Sequence, residues 1–308
     1  MRFTLRQIEV FVAIARGENV SRAAEALALS QSATSAALAE LEHQFGRPLF
    51  DRVGKRLRLN ELGRQLLPRA VELLDRAQEL EALLRADDAP GSLKVGATLT
   101  IGNYLAPLIM ADYLQRHPAG QVALTVHNTA TIVAQVARYE IDLGLIEGRA
   151  DAPELEVEPW VEDELVPFCA PTHALAGRAT VSLEELAREA WILRERGSGT
   201  RETLEQALRH WPDGLQVRLE LEHTEAIKRA VESGLGIGCI SRLALRDAFR
   251  RGSLVALEAP ELDLARRFNF VWHRGKYHTA AIRAFLDACR RMTAGARHSH
   301  EIPLPPVK

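Results

Sequence analysis

The chain has little cysteine to build with. Cys169, Cys239 and Cys289 are its only three in 308 residues, and they stand far apart with no Cys-x-x-Cys pair and no Cys/His ligand spacing. A disulfide framework or a zinc ribbon is thereby excluded, and the three read as small core residues. His298 and His300 share a proline-rich end, where a solvated, flexible tail over 296–308 is expected rather than a metal site. No run approaches the roughly 18 consecutive apolar residues of a membrane span. The first residues carry charge inside an amphipathic helix instead of forming a signal peptide, so a cytoplasmic location and no membrane partner are expected. Neither a Gly-x-Ser-x-Gly elbow nor a zinc-protease motif occurs. Gly197-Ser198-Gly199-Thr200 lacks the lysine of a phosphate-binding P-loop, and Gly234-Leu235-Gly236-Ile237-Gly238 follows a helix and precedes a strand, the reverse of a dinucleotide fingerprint. No catalytic site and no cofactor are expected.

Net charge is almost absent too, at −2, but it is unevenly divided. Residues 1–66 hold ten Lys/Arg against seven Asp/Glu, leaving 29 against 34 for the remainder. The basic excess therefore lies at the N-terminal end, and it is modest enough that binding to DNA would need at least a dimer.

That end carries a helix, a tight turn and a second helix. Asn19 can cap a short run in which Val20, Ala23, Ala24 and Leu27 recur at helical spacing, with Arg22 on the solvent side. Ala28-Leu29-Ser30 interrupts it, and Ser30 can cap a second run whose Ala33, Ala37, Leu38 and Leu41 form one face. The opposite face carries Gln31, Ser32, Thr34 and Ser35, small polar groups of the kind a recognition helix presents to base edges. Gly46 suits a helix stop, and Arg52, Lys55, Arg56 and Arg58 then place four cations in seven residues around Gly54, a basic wing for a phosphate backbone. Phe3 to Arg16 is a supporting helix with Ile8, Phe11, Val12 and Ala15 inward.

Leu5-Arg6-Gln7-Ile8-Glu9-Val10-Phe11, Ser21-Arg22-Ala23-Ala24, Leu29-Ser30-Gln31-Ser32-Ala33 and Gly46-Arg47-Pro48-Leu49-Phe50-Asp51-Arg52 together resemble the N-terminal signature of LysR-type transcriptional regulators. The resemblance implies a winged helix-turn-helix over 1–60 that binds double-stranded DNA through Ser21, Arg22, Ser30, Gln31, Ser32, Thr34, Ser35, Arg52, Lys55 and Arg56. Ala36-Ala37 departs from the longer polar residues that many members carry there.

Asn60 can cap a long helix to about Ala86, in which Leu62, Leu66, Ala70, Leu73, Ala77, Leu80 and Leu84 make a seam for a partner helix, with Pro68 bending it near its start. Residues 61–91 are thus a dimerisation helix and hinge, ending in Asp87-Asp88-Ala89-Pro90-Gly91-Ser92. From Leu93 strands and helices alternate in two βαβ series, with paired strands around 155–170 between them. The fold class is α/β: a two-lobed domain over 92–295, lobe I about 92–162 and 269–295, lobe II about 163–268. This agrees with the periplasmic-binding-protein-like effector domain that the resemblance implies, with a ligand between the lobes and assembly as a homodimer or homotetramer.

Two loops leave strands, are rich in hydroxyls or glycine, and open helices: Thr98 to Asn103, and Gly197 to Arg201. Free N–H groups and the helix dipole favour a small anion there, and Thr98, Thr100, Asn103, Ser198, Thr200 and Arg201 are the expected donors. Thr129 and Thr224 end neighbouring strands and complete the expected effector set. The segments 194–201, 224–228 and 234–238 are similar to members grouped with regulators of sulfur assimilation, which implies a small effector that includes sulfur oxyanions; Leu99 departs from the hydroxyl residue common at its loop. The rival is a DNA-free α/β binding protein or enzyme with a helical assembly domain. Pure assembly does not explain a basic wing beside a hydroxyl-bearing helix.

Overall fold

Thr4 begins the fold with a capping box: its side chain takes the Gln7 N–H while the Gln7 side chain returns to the Thr4 N–H. A computed structural model describes residues 2–53, 56–84, 90–209 and 214–303. Helix α1 (Leu5–Gly17) buries Ile8, Phe11, Val12 and Ile14. Asn19 caps α2 (Val20–Ala26), Ala28 makes the turn at a φ of 53°, and Ser30 caps α3 (Gln31–Phe45). Gly46, at a φ of +63°, stops α3 by giving its N–H to Glu42 and His43. Strands β1 (Phe50–Val53) and β2 (Arg56–Leu59) pair antiparallel as the wing. Gly54 and Lys55, where the hairpin turn and one basic contact were expected, lie outside the described residues.

Asn60 caps α4 (Glu61–Leu84): its Oδ1 accepts the Gly63 N–H at 2.8 Å while its Nδ2 donates to the Pro48 carbonyl at 2.7 Å. The expected seam divides. Leu62 and Leu66 pack with buried Leu67, Ala70 and Val71 into the winged-helix core, whereas Leu73, Leu80, Leu83 and Leu84 remain exposed. The helix extends roughly 36 Å at 1.5 Å per residue, so its far half leaves the small domain. Hinge residues 85–89 lie outside the described residues.

Lobe I begins with β3 (Ser92–Ala97), α5 (Leu99–Tyr104) and α6 (Ala106–Arg116), then β4 (Gln121–Val126), α7 (Thr129–Ala137) and β5 (Leu143–Glu147). The single helix expected over 102–116 is two, because Pro107 in the first turn of α6 has no N–H to continue the hydrogen-bond ladder of α5. The paired strands expected around 155–170 are one strand, β6 (Leu155–Cys169), whose 15 residues run from lobe I into lobe II. Lobe II adds α8 (Leu183–Arg188), β7 (Ala190–Arg194), α9 (Gly199–Ala207), β8 (Gln216–Leu221), α10 (Thr224–Glu232), β9 (Ile237–Ser241), α11 (Arg242–Arg251) and β10 (Val255–Ala256). Strand β11 (Ala265–His273) returns antiparallel to both β5 and β6, and α12 (Ala280–Met292) closes lobe I. The sheet order is β4-β3-β5-β11-β6-β9-β7-β8, so β11 and β6 are the seam between two parallel-stranded halves.

The flexible tail expected from 296 is docked as far as Pro303. Ser299–Glu301 forms a 3-10 turn, Ser299 and Ile302 are fully buried, and Arg246 donates to the carbonyls of His300 and Ile302. An apolar Ile and a hydroxyl with a buried partner outweigh the proline-rich composition that suggested solvation. Residues 304–308 lie outside the described residues.

Gly63 marks where α4 meets the base of the wing, since a Cβ there would stand 2.2 Å from the Leu49 carbonyl oxygen. Gly63→Ala is expected to lower the stability of the winged-helix unit by about 1–3 kcal/mol. Denaturant unfolding followed by far-UV circular dichroism checks this; an unchanged midpoint would refute the close contact.

Candidate DNA interface and interlobe cleft

The exposed face of α3 carries Gln31, Ser32 and Ser35, with Ser21 and Arg22 exposed on α2 beside it. Ser30 and Ser32 hydroxyls lie 3.0 Å apart at the helix start. Arg52 and Arg58 are exposed on the wing strands, and Arg56 opens β2. Thr34 departs from the expectation: it is fully buried and its Oγ1 donates to the Ser30 carbonyl at 3.0 Å. Thr34, Leu38 and Leu41, at steps of four and three, form the inward face, and Ala33 is exposed instead.

The two loops expected to meet across a cleft do meet, and the anion between them belongs to the protein. Glu147, the last residue of β5, is buried and accepts the Thr100 backbone N–H at 2.6 Å and the Thr200 hydroxyl at 3.2 Å. Arg266 Nη2 lies 2.9 Å from Glu147 Oε2 without the alignment of a hydrogen-bond donor, while its Nη1 donates to Thr200 Oγ1 at 3.0 Å. Its Nε donates to Asp163 at 2.7 Å, and Asp163 also accepts the hydroxyls of Ser241 and Ser299. Burial pushes the Glu147 carboxyl up, but Arg266, Arg194 and the Thr100 N–H more than offset it and hold the group below the ordinary carboxylate range. Arg266, whose own burial opposes its charge, is held above the usual guanidinium value by Glu147 and Asp163.

The lobes also touch through their backbones. Gly199, first residue of α9, donates its N–H to Thr129 Oγ1 at 3.1 Å, Thr129 donates to the Glu147 carbonyl at 3.1 Å, and the Ala130 N–H meets the Gly197 carbonyl at 3.1 Å. A Cβ on Gly199 would stand 2.1 Å from the Glu147 carbonyl oxygen, which is why only glycine fits this crossing. On the far side Tyr104 of α5 donates to Glu225 of α10, and Lys228 reaches both, at 3.3 Å and 2.6 Å respectively.

The structure brings Thr98, Thr100, Thr129, Ser198, Thr200 and Thr224 into buried positions. Thr98 and Ser198 are the N-caps of α5 and α9, yet neither side chain caps its own helix. Thr100 contributes its backbone N–H rather than its hydroxyl to Glu147. Two expected residues fall elsewhere. Asn103 is exposed near the end of α5. Arg201 is turned into lobe II, where Nε donates to Glu205 at 2.7 Å and Nη1 to the Arg194 carbonyl and Glu220. The cation of the cleft is Arg266, from a strand 65 residues later in the chain; with Asp163 it was missed as a site residue because its partners are distant in sequence. No group of three potential metal ligands occurs among the described residues, nor does any helix of theirs have the length and apolarity to cross a membrane.

A family model described as the bacterial regulatory helix-turn-helix protein, lysR family, matches residues 5–64, and one described as the LysR substrate binding domain matches 86–294. The HTH-type transcriptional regulator YeiE of Escherichia coli (strain K12) is 46% identical over 289 residues, covering 94% of this chain and 98% of its own. A full-length OxyR of Pseudomonas aeruginosa shares the fold at a TM-score of 0.74 and 23% identity, covering 98% of this chain and 100% of that one. The regulatory domain of CcmR from Synechocystis, solved with 2-PG, matches at 0.63 and 30% identity over 67% of this chain and 99% of its own.

Since the folded Glu147 carboxyl titrates below its ordinary value of 4.5, its stabilisation is fully present above that pH and is lost as pH falls through the folded value. Glu147→Gln should therefore melt lower at neutral pH, by about 3–5 kcal/mol for leaving Arg266 half-paired, and show a shallower loss of stability below pH 4.5. Melting temperatures of both proteins across pH decide it; parallel curves would place the ion pair outside the stability of the closed lobes.

Proposed function

This chain belongs to the LysR family of bacterial helix-turn-helix regulators, and on that premise we propose how its two ends act. It is a DNA-binding transcriptional regulator with an effector-binding domain, not an enzyme. Its DNA contacts are assigned to Gln31, Ser32 and Ser35 for base edges and to Arg22, Arg52, Lys55 and Arg56 for phosphates, in the cytoplasm where its DNA lies. The exposed leucines of α4, Leu73, Leu80, Leu83 and Leu84, support pairing of two chains along this helix.

The effector is a small anion, inorganic or a compact carboxylate, seated between the lobes. One observation carries this: the carboxylate of Glu147 is held ionised at the cleft by donors from both walls, Thr100 N–H from lobe I and the Thr200 hydroxyl from lobe II, with Arg266 behind it. A seat that stabilises one buried anion has the donors to stabilise another; the Ser198 side chain is not spent on capping, while the Thr98 hydroxyl donates to the Leu145 carbonyl at 3.4 Å. An entering anion contests those donors with Glu147 and so shifts the balance between closed and open lobes. CcmR, whose regulatory domain was solved with 2-PG, supports a ligand in this class of domain.

Arg52→Ala with Arg56→Ala should weaken binding to all DNA and reduce the salt slope by about one per lost phosphate contact. Gln31→Ala or Ser35→Ala should cost about 1–3 kcal/mol chiefly on the preferred sequence. Footprinting and salt titrations separate the two, and binding untouched by both sets would sink the assignment. For the cleft, calorimetry with sulfate, sulfite, thiosulfate, phosphate and small carboxylates is expected to find one anion whose affinity drops in Ser198→Ala and Thr200→Val. Equal affinity in all three proteins would move the site elsewhere.

A further inference from the structure

A second cluster of charge lies at the junction where the winged-helix unit and α4 rest on lobe I. A cavity of about 180 Å³ is lined there by Arg16, Asp75, Lys94, Asp142 and Lys276, among others. Its charges come from three separate parts of the fold: Arg16 from the last turn of α1, Asp75 from α4, and the others from lobe I. The carboxylates are already engaged. Lys276 sits between Asp75 and Asp142 at 2.8 Å from each, and Asp142 also accepts the Lys94 backbone N–H at 2.8 Å.

The other two cations are not engaged in the same way. Arg16 makes no hydrogen bond or ion pair among the described residues, and its Nε is buried without a partner. Such an atom forfeits its hydration with nothing in return, a cost native structures seldom leave standing. Lys94, open to solvent, has a side chain that pairs with no described carboxylate within 4 Å. Three cations thus face two carboxylates. The adjoining cavity of about 450 Å³ that Arg16 and Lys94 also line adds two further carboxylates, Glu140, with Arg138 4.0 Å from it, and Glu9, paired with Arg6 at 2.9 Å. Burial lowers the Arg16 guanidinium although Asp142, Asp75 and Glu140 all favour its charge, so the carboxylates nearby do not compensate it.

We propose that this junction is a second anion site, taking a compact oxyanion of phosphate size that Arg16 of the winged-helix unit and Lys94 of lobe I hold between them. It is separate from the cleft: none of its lining residues belongs to the Glu147 cluster. An anion there supplies the acceptor that Arg16 lacks and adds a bridge between the DNA-binding unit and the effector domain. Occupancy therefore favours the arrangement in which the two are docked.

Inorganic phosphate and sulfate, titrated into the full-length protein by calorimetry at constant ionic strength with chloride as the balancing salt, test it. The expected result is a site whose affinity falls about tenfold or more in Arg16→Gln and in Lys94→Met, and is kept in Lys94→Arg and in Thr200→Val. Lys94 is exposed, so its variants remain folded even where Arg16→Gln does not. Parent-like affinity in Lys94→Met, or heats matched by chloride alone, would overturn the proposal. Loss of all phosphate binding in Thr200→Val with none in the junction variants would also overturn it and leave the cleft reading standing; the reverse pattern supports the junction, and the cleft reading is then decided by its own titrations in Ser198→Ala and Thr200→Val.

Discussion

Arg266 buried between Glu147 and Asp163 is the constraint on which the effector domain depends. All three side chains are at most 2% exposed, and desolvating three charges is recovered only if every one keeps its partners. The partners come from β5, β6, β9, β11, α9 and the docked C-terminal segment, so one cluster fixes how both lobes and the strap across them sit. The cluster also carries two negative charges against one positive. The Thr100 N–H in the first turn of α5, 2.6 Å from Glu147, makes up part of the difference. Arg194, itself paired with Glu195 at 2.8 Å, adds a second positive charge near Glu147.

Strand β11 carries the consequence away from the cleft. Arg266 lies at one end; at the other, His273 contacts the Tyr139 hydroxyl at 2.6 Å, and just past it Lys276 pairs with Asp75 of α4. Nine residues of strand span roughly 30 Å. Because β11 is hydrogen-bonded on both edges, to β5 and to β6, it cannot slip without inverting the faces of its side chains. It can only move as a body with its lobe. Tyr139 in turn packs into the winged-helix core, and a Cβ on Gly275 would press on both Tyr139 and Pro68 of α4. Packed, ordered elements therefore connect Arg266 to the DNA-binding arm.

What could be read from the sequence was what short-range chemistry dictates. Asn19, Ser30 and Asn60 cap the helices they were expected to cap, since an N-cap needs only a side-chain oxygen and the N–H groups two or three residues on. The hydroxyl and glycine loops opening α5 and α9 were legible for the same reason. Arg201 was misassigned because its local partner, Glu205 one turn along α9, competes with the cleft, and nothing in a linear sequence weighs the two. Thr34 was misplaced because a small polar residue on the apolar face satisfies itself on its own backbone. Arg266, Glu147, Asp163 and Ser299 meet across separations of 16 to 152 residues, and only the fold brings them together.

The N-terminal charge explains why α4 has to serve both ends. An excess of three positive charges over 66 residues is a weak electrostatic grip, and each phosphate contact loses strength as salt rises. Two such units held on one frame convert the second contact into an intramolecular step at high effective concentration. The frame available is the exposed stripe Leu73, Leu80 and Leu84, on the same helix whose Asp75 and Glu79 are gripped by Lys276, Tyr277 and the Ala280 N–H of lobe I. Recognition helices on a common duplex face must stand about 34 Å apart or a multiple of it. A small rotation of α4 against lobe I, acting over a helix of roughly 36 Å, alters that spacing without disturbing any base contact. On the proposed reading, α4 is the element through which the cleft would set that spacing, and the residues that grip it belong to the proposal as much as those assigned to DNA.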